Sequence, residues 1–156
     1  MSQPINKNIK TSVKPNKPKK VKKRTHKEYG TSKLEEKFAK EFLDKLDIDY
    51  IYQYKAESIG TFFDFYIPHA NVIIEVDGTY WHSYNILYED MTPTQKRNFR
   101  VDKQKDQWAL ERGIPLIRIW EHDINKNPEK VREILKERIG EGERLKKIKD
   151  NKKKRH

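Results

Sequence analysis

The chain has 156 residues, 38% of them charged and 34% hydrophobic, and a net charge of +11. That length suits one domain of about 100 residues plus tails, and so low an apolar fraction permits a packed core only if the charge is concentrated elsewhere. The absence of cysteine excludes disulfides, a thiol nucleophile and a cysteine-based zinc site; the absence of an apolar run near the ~18 residues that span a bilayer, or of a signal-peptide pattern, predicts a soluble, cytoplasmic protein without a membrane partner.

Residues 1–28 carry ten Lys and Arg against Glu28 alone, with prolines and the cluster KPKKVKKR. They read as a disordered basic arm whose Lys19, Lys20, Lys22, Lys23 and Arg24 suit a polyanion, because each cation that neutralises a phosphate releases counterions. A solubilising tail or a targeting signal has the same composition. Residues 29–140 read as the folded domain. Ser32 opens a helical pattern in which Leu34, Phe38, Phe42, Leu43 and Leu46 share one face up to Asp47. YIYQYKA (50–56), TFFDFYIP (61–68) and NVIIEVDG (71–78) are β-branched and aromatic enough for three strands, the last two joined through the turn PHAN. Residues 79–96 are polar and irregular, longer than most connections, as functional loops are. A helix is expected over 97–112 with Gly113 as its stop, then a strand at PLIRIW, then a helix from Pro128 to Gly140. Residues 141–156 read as a second disordered basic tail. The order α, β, β, β, α, β, α suits a small mixed α/β sheet with helices on its faces.

Asp64 lies inside the aromatic run FFDFYI and Glu75 follows VII, so two carboxylates fall in strands that should be buried. A buried charge needs a partner, and if the hairpin pairs around PHAN the two carboxylates come close and repel. A hard divalent ion resolves that conflict; a Lys or Arg salt bridge is the plainer solution. Glu35 stands three residues after Ser32, which a capping box alone explains. His82 can act as an acid or base or simply pack, and Asp102 and Asp106, at i and i+4 beside Lys103 and Lys105, read as a solvated helix face.

As an ordered set, S-x-x-E-x-x-F (32–38), FDFYIP (63–68), IIEVDGTYWH (73–82), NFRVD (98–102) and GIPLIRIWE (113–121) resemble the very short patch repair endonucleases and their EDxHD homing-endonuclease relatives in the PD-(D/E)XK nuclease superfamily. The resemblance spans roughly residues 31–124. It implies a restriction-endonuclease-like core and a metal-dependent endonuclease acting on double-stranded DNA, with Mg²⁺ as cofactor and Mn²⁺ as an alternative. It places Asp64 on the metal-binding aspartate and Val76 on the position whose carbonyl also contacts metal. His82 falls on the proton-transferring histidine, Glu35 on the glutamate that holds the metal's water shell, and Asp102 on the aspartate that orients the histidine. Asn98 matches a helix asparagine near that shell, and Tyr80 and Trp81 match the residues that wedge between base pairs, although Trp81 under the loop would serve packing equally well.

Two departures stand out. Without cysteine the zinc site of the repair enzymes cannot form in the same way, which counts against mismatch-specific repair; the resemblance and the small size turn the expectation toward a free-standing homing-type enzyme of phage or bacterial origin, with a repair or junction nuclease, or a binding protein of the same fold, as the alternatives. The sequence E-x-D also stands where the superfamily has (D/E)-x-K, so Asp77 occupies the lysine's position. If Glu75 and Asp77 face opposite sides of the strand, only Glu75 shares Asp64's site, unless Asp77 reaches it from the strand end, where Gly78 breaks the alternation. Glu75 and Asp77 therefore join Asp64 and Val76 as candidate metal ligands, and Lys103 joins Asn98 as a candidate DNA contact.

Overall fold

The computed structural model describes residues 32–78 and 86–155. The basic arm 1–28, together with Tyr80, Trp81 and His82, lies outside them. A four-stranded sheet in the order β1-β2-β3-β4 is built from Ile51–Ala56, Thr61–Ile67, Val72–Asp77 and Leu116–Trp120. The first two neighbour pairs are antiparallel; β3 and β4 are parallel, joined through helix α2 (Pro93–Glu111).

One face of the sheet is covered by α1 (Lys33–Phe38) with its π-helical continuation Ala39–Asp44, by α3 (Glu121–Lys126) and by α4 (Pro128–Lys154). Phe38, Phe42, Phe65, Ile67, Val72, Ile74, Val131 and Leu135 meet there. Each such side chain removed from water contributes about 1.5–3 kcal/mol before entropy is counted. The other face is smaller: Ala56, Phe63 and Ile73 pack against Trp108 and Ala109 of α2. Strand β3 is buried along its whole length because both faces are covered, which is why its sequence is nearly continuous in apolar residues up to Glu75.

Helix α2 begins at Pro93, inside the stretch expected to be irregular. Thr92 and Gln95 form a reciprocal capping box: the Thr92 hydroxyl accepts from the Gln95 amide, and the Gln95 side chain accepts from the Thr92 amide. The proline that follows Thr92 fits the first helical position.

The helix from Pro128 does not stop at Gly140. It runs 27 residues, about 40 Å, so residues 141–154 are helical rather than a disordered tail. Helix-forming Lys, Glu and Arg outweigh the two glycines, and the extension is anchored: Lys146 Nζ donates to the Pro68 carbonyl at 2.9 Å and Lys149 Nζ to the Arg112 carbonyl at 3.2 Å. These carbonyls lie at the β2–β3 turn and the approach to β4, the end of the sheet opposite Asp77.

Gly142 is what lets α4 approach. A Cβ there would stand 2.2 Å from Val72 Cγ2 and 2.5 Å from the Ala70 carbonyl oxygen, whereas one at Gly140 would meet only the tip of Arg144 at 3.6 Å. Gly142→Ala is expected to lower stability by about 1–3 kcal/mol through overpacking. Gly140→Ala should raise it by about 0.8–1 kcal/mol, the helix-propensity difference. Urea denaturation of the two variants checks the opposite signs.

Candidate active site

The antiparallel register pairs Phe65 with Ile74, Tyr66 with Ile73 and Ile67 with Val72, and ends there. The next pair in that register would be Asp64 and Glu75. Instead of continuing the ladder, the Asp64 carboxylate accepts from the Val76 amide at 2.7 Å, so a side chain replaces a backbone bond where the strands part.

The parting has a local cause. Tyr52 and Phe65 are neighbours on adjacent strands and pack on the α1/α4 face, while Tyr54 and Phe63, two residues further along the ladder, pack on the α2 face. Regular strands do not change face in two residues. Between them Gln53 takes φ +52°, a left-handed conformation costly for a residue with a Cβ. The change of face in β1 and β2 falls at Gln53 and Asp64, the two residues between these pairs.

Glu35 is delivered from α1. Its amide donates to Ser32 Oγ at 3.1 Å, so the cap expected from the sequence is half present. The Glu35 carboxylate accepts instead from the Tyr52 hydroxyl and from Gln53 Nε2 at 3.3 Å. Burial, then the hydrogen bond to Glu35, then that carboxylate's charge, hold the Tyr52 phenol above its ordinary pKa. Tyr52 therefore stays a donor, fixing Glu35 in place.

Asp64, Glu75 and Glu35 form the electrostatic centre. Burial pushes the Asp64 carboxyl well above the usual carboxylate range, the charges of Glu75 and Glu35 push it further, and the Val76 amide opposes them. Asp64 and Glu75 stand close enough for each carboxylate to feel the other's charge. Glu75, only 4% exposed, accepts from Lys105 Nζ of α2 at 2.8 Å.

Asp77 lies on the same side of β3 as Glu75, because residues two apart along a strand project alike, so the opposite-faces case does not arise. Its carboxylate engages Arg118 of β4 at 3.4 Å, and the same guanidinium reaches Asp106 at 2.6 Å and Asp102 at 3.7 Å. Burial alone would pull Arg118 down; the Asp106 hydrogen bond and the charges of Asp77, Asp106 and Asp102 more than reverse this and raise its pKa. Asp102 and Asp106 are thus ion-pair partners, not merely a solvated face. Asn98 is half-buried one turn before Asp102 on α2, and Lys103 is exposed, its ammonium 5.3 Å from the Phe99 ring centroid.

Lys105, Arg118, Tyr52 and Gln53 were not among the residues expected. Arg118 inside the apolar run LIRIW carries the same signal that marked Asp64, an ionisable group in a buried strand. Lys105 lies three residues after Asp102 and four before buried Ala109, on the sheet-facing side of α2.

Among the described residues no three carboxylate or imidazole side chains form a set that could hold an ion unaided. A magnesium ion does not need one: it keeps several waters and takes one or two carboxylates. Two buried carboxyl groups that repel one another match that need, and Asp64 and Glu75 fit such an ion. No helix among the described residues is long and apolar enough to cross a membrane.

No protein family and no curated protein matches the chain. Among solved structures it is similar to the catalytic domain of homing endonuclease I-Bth0305I, with a TM-score of 0.52 and 22% identity over 72% of this chain and 98% of that one. The chain therefore has the fold of that catalytic domain, a four-stranded mixed sheet between helices in the restriction-endonuclease-like arrangement.

Proposed function

We propose that the chain is a metal-dependent endonuclease that hydrolyses phosphodiester bonds in double-stranded DNA, of the homing type. The observation that carries this reading is the carboxyl pair Asp64 and Glu75 at the point where β2 and β3 part, on a fold shared with a homing endonuclease catalytic domain.

Asp64 and Glu75, with the Val76 carbonyl, would hold Mg²⁺ or Mn²⁺; when bound, such an ion neutralises charge on the scissile phosphate and lowers the pKa of a bound water. Glu35, fixed by Tyr52 and Gln53, orients water beside that pair. His82, five residues past the end of β3 in the sequence, is assigned proton transfer, with Asp102 and Asn98 supporting it from α2. Arg118 holds the Asp77 carboxylate in an ion pair, which offsets the charge of that further anion of the motif. Tyr80 and Trp81 are assigned to stacking against bases; Lys103 and the arm residues Lys19, Lys20, Lys22, Lys23 and Arg24 are assigned to phosphates.

Incubation of supercoiled plasmid with wild-type and Asp64→Ala protein, in Mg²⁺ and in EDTA, tests the reading. Nicked or linear product from wild type in Mg²⁺ only is expected, with a loss of about a hundredfold or more in the variant. A wild type that shifts DNA but leaves it intact with Mg²⁺ and Mn²⁺ would make the chain a DNA-binding protein instead.

A further inference from the structure

A cation of the protein itself stands against the carboxyl pair. Lys105 Nζ stands 2.8 Å from Glu75 Oε1, with the two side chains 12% and 6% exposed, and 5.3 Å from the Phe63 ring centroid. Water screens this pair little, so each charge depends strongly on the other. The ammonium thus occupies an oxygen of the carboxylate that the proposed function gives to a divalent ion. Two cations cannot use that carboxylate at close range without strong repulsion, because a divalent ion and an ammonium a few ångströms apart in a shielded site repel more strongly than two unit charges.

We propose that Lys105 is a tethered competitor for Glu75: it neutralises the carboxylate when the site holds no metal and must withdraw when a divalent ion binds, thereby setting the site's metal affinity. The inference rests on the metal-dependent reading given above. The withdrawal is feasible on this helix. A lysine's four-carbon stem is flexible, and Asp102, three residues earlier on the same side of α2, is at the spacing where an i, i+3 ion pair forms. Lys105 is thus a positioning residue that acts through Glu75 and touches no reacting atom.

Titration of the DNA-free, full-length protein with Mn²⁺, following free ion by electron paramagnetic resonance, tests the idea without reference to cleavage. Lys105→Met is expected to tighten Mn²⁺ binding about tenfold or more, while Lys105→Arg, which keeps the charge, stays within about threefold of wild type. In a Glu75→Gln background the Lys105→Met effect should vanish. Circular dichroism establishes that each variant is folded. A second measurement uses wild type alone: acetylation of lysines by an N-hydroxysuccinimide ester, read by mass spectrometry, should rise several-fold at Lys105 when Mn²⁺ is added, with exposed Lys103 as the internal control. Unchanged or weaker Mn²⁺ affinity in folded Lys105→Met, or unchanged acetylation at Lys105, overturns the proposal while leaving the nuclease reading intact. A wild type that neither binds Mn²⁺ nor cuts DNA overturns both.

Discussion

Asp64→Asn is expected to abolish cleavage and, in EDTA, to make the protein more stable. The amide keeps the shape and an oxygen that can accept from the Val76 amide, so the local hydrogen bond survives. What disappears is an ionisable group whose charged form is disfavoured first by burial and then by Glu75 and Glu35. A gain of about 1 kcal/mol would raise the melting temperature by several degrees in a domain of this size. The sign of the pH dependence follows from the direction of the shift. A carboxyl whose folded pKa lies above its unfolded value stabilises the fold fully below the unfolded value, about 4, and that contribution is lost as pH rises through the folded pKa. In EDTA the stability advantage of Asp64→Asn over wild type should therefore be small in acid and grow toward neutral pH. Thermal melts of both proteins across that range decide it; a constant difference, or a wild type that gains on the variant as pH rises, contradicts the electrostatic assignment.

Arg118→Leu is expected to cost about 3–5 kcal/mol, the range for removing one partner of a buried ion pair. Its guanidinium is shared by Asp77, Asp102 and Asp106, and Asp77 is only 2% exposed. Withdrawing the cation leaves these carboxylates to repel one another beside the parallel β3–β4 pair. Arg118→Lys should recover only part of the loss, because a point charge cannot serve several carboxylates in the plane of a fork. Adding Asp77→Asn to Arg118→Leu should restore about 1–3 kcal/mol as a coupling energy. Urea denaturation of the four proteins measures the cycle; a single-variant loss below about 1 kcal/mol would show that the cluster is a screened surface network instead.

The strands were legible because their signals are local. The β-branched and aromatic runs of β2, β3 and β4 stand between Gly60, the PHAN turn, Gly78 and Gly113, and pairing through PHAN by itself brings Asp64 toward Glu75. The candidate pair followed from the same fact that makes it costly, a carboxylate in a run that must be buried. Helix ends were less legible. Gly140 has the composition of a stop, yet the helix continues because Gly142 lets it pass against Ala70 and Val72, a contact between segments some 70 residues apart in the chain. The assignments of charge partners were least legible. Whether Glu35 caps its own helix or turns to Tyr52, and whether Lys105 and Arg118 point to solvent or to Glu75 and Asp77, depends on which helix face and which sheet face tertiary packing turns inward. The left-handed Gln53 that accompanies the parting of the strands has no mark in the sequence at all.

If Asp64 and Glu75 hold the metal, the ion should be visible at their carboxylates. Crystals soaked in Mn²⁺ and measured at the manganese absorption edge locate the ion directly. An anomalous peak in contact with the Asp64 and Glu75 carboxylates is the predicted result; a peak among Asp77, Asp102 and Asp106, or none at a concentration that supports cleavage, would contradict it.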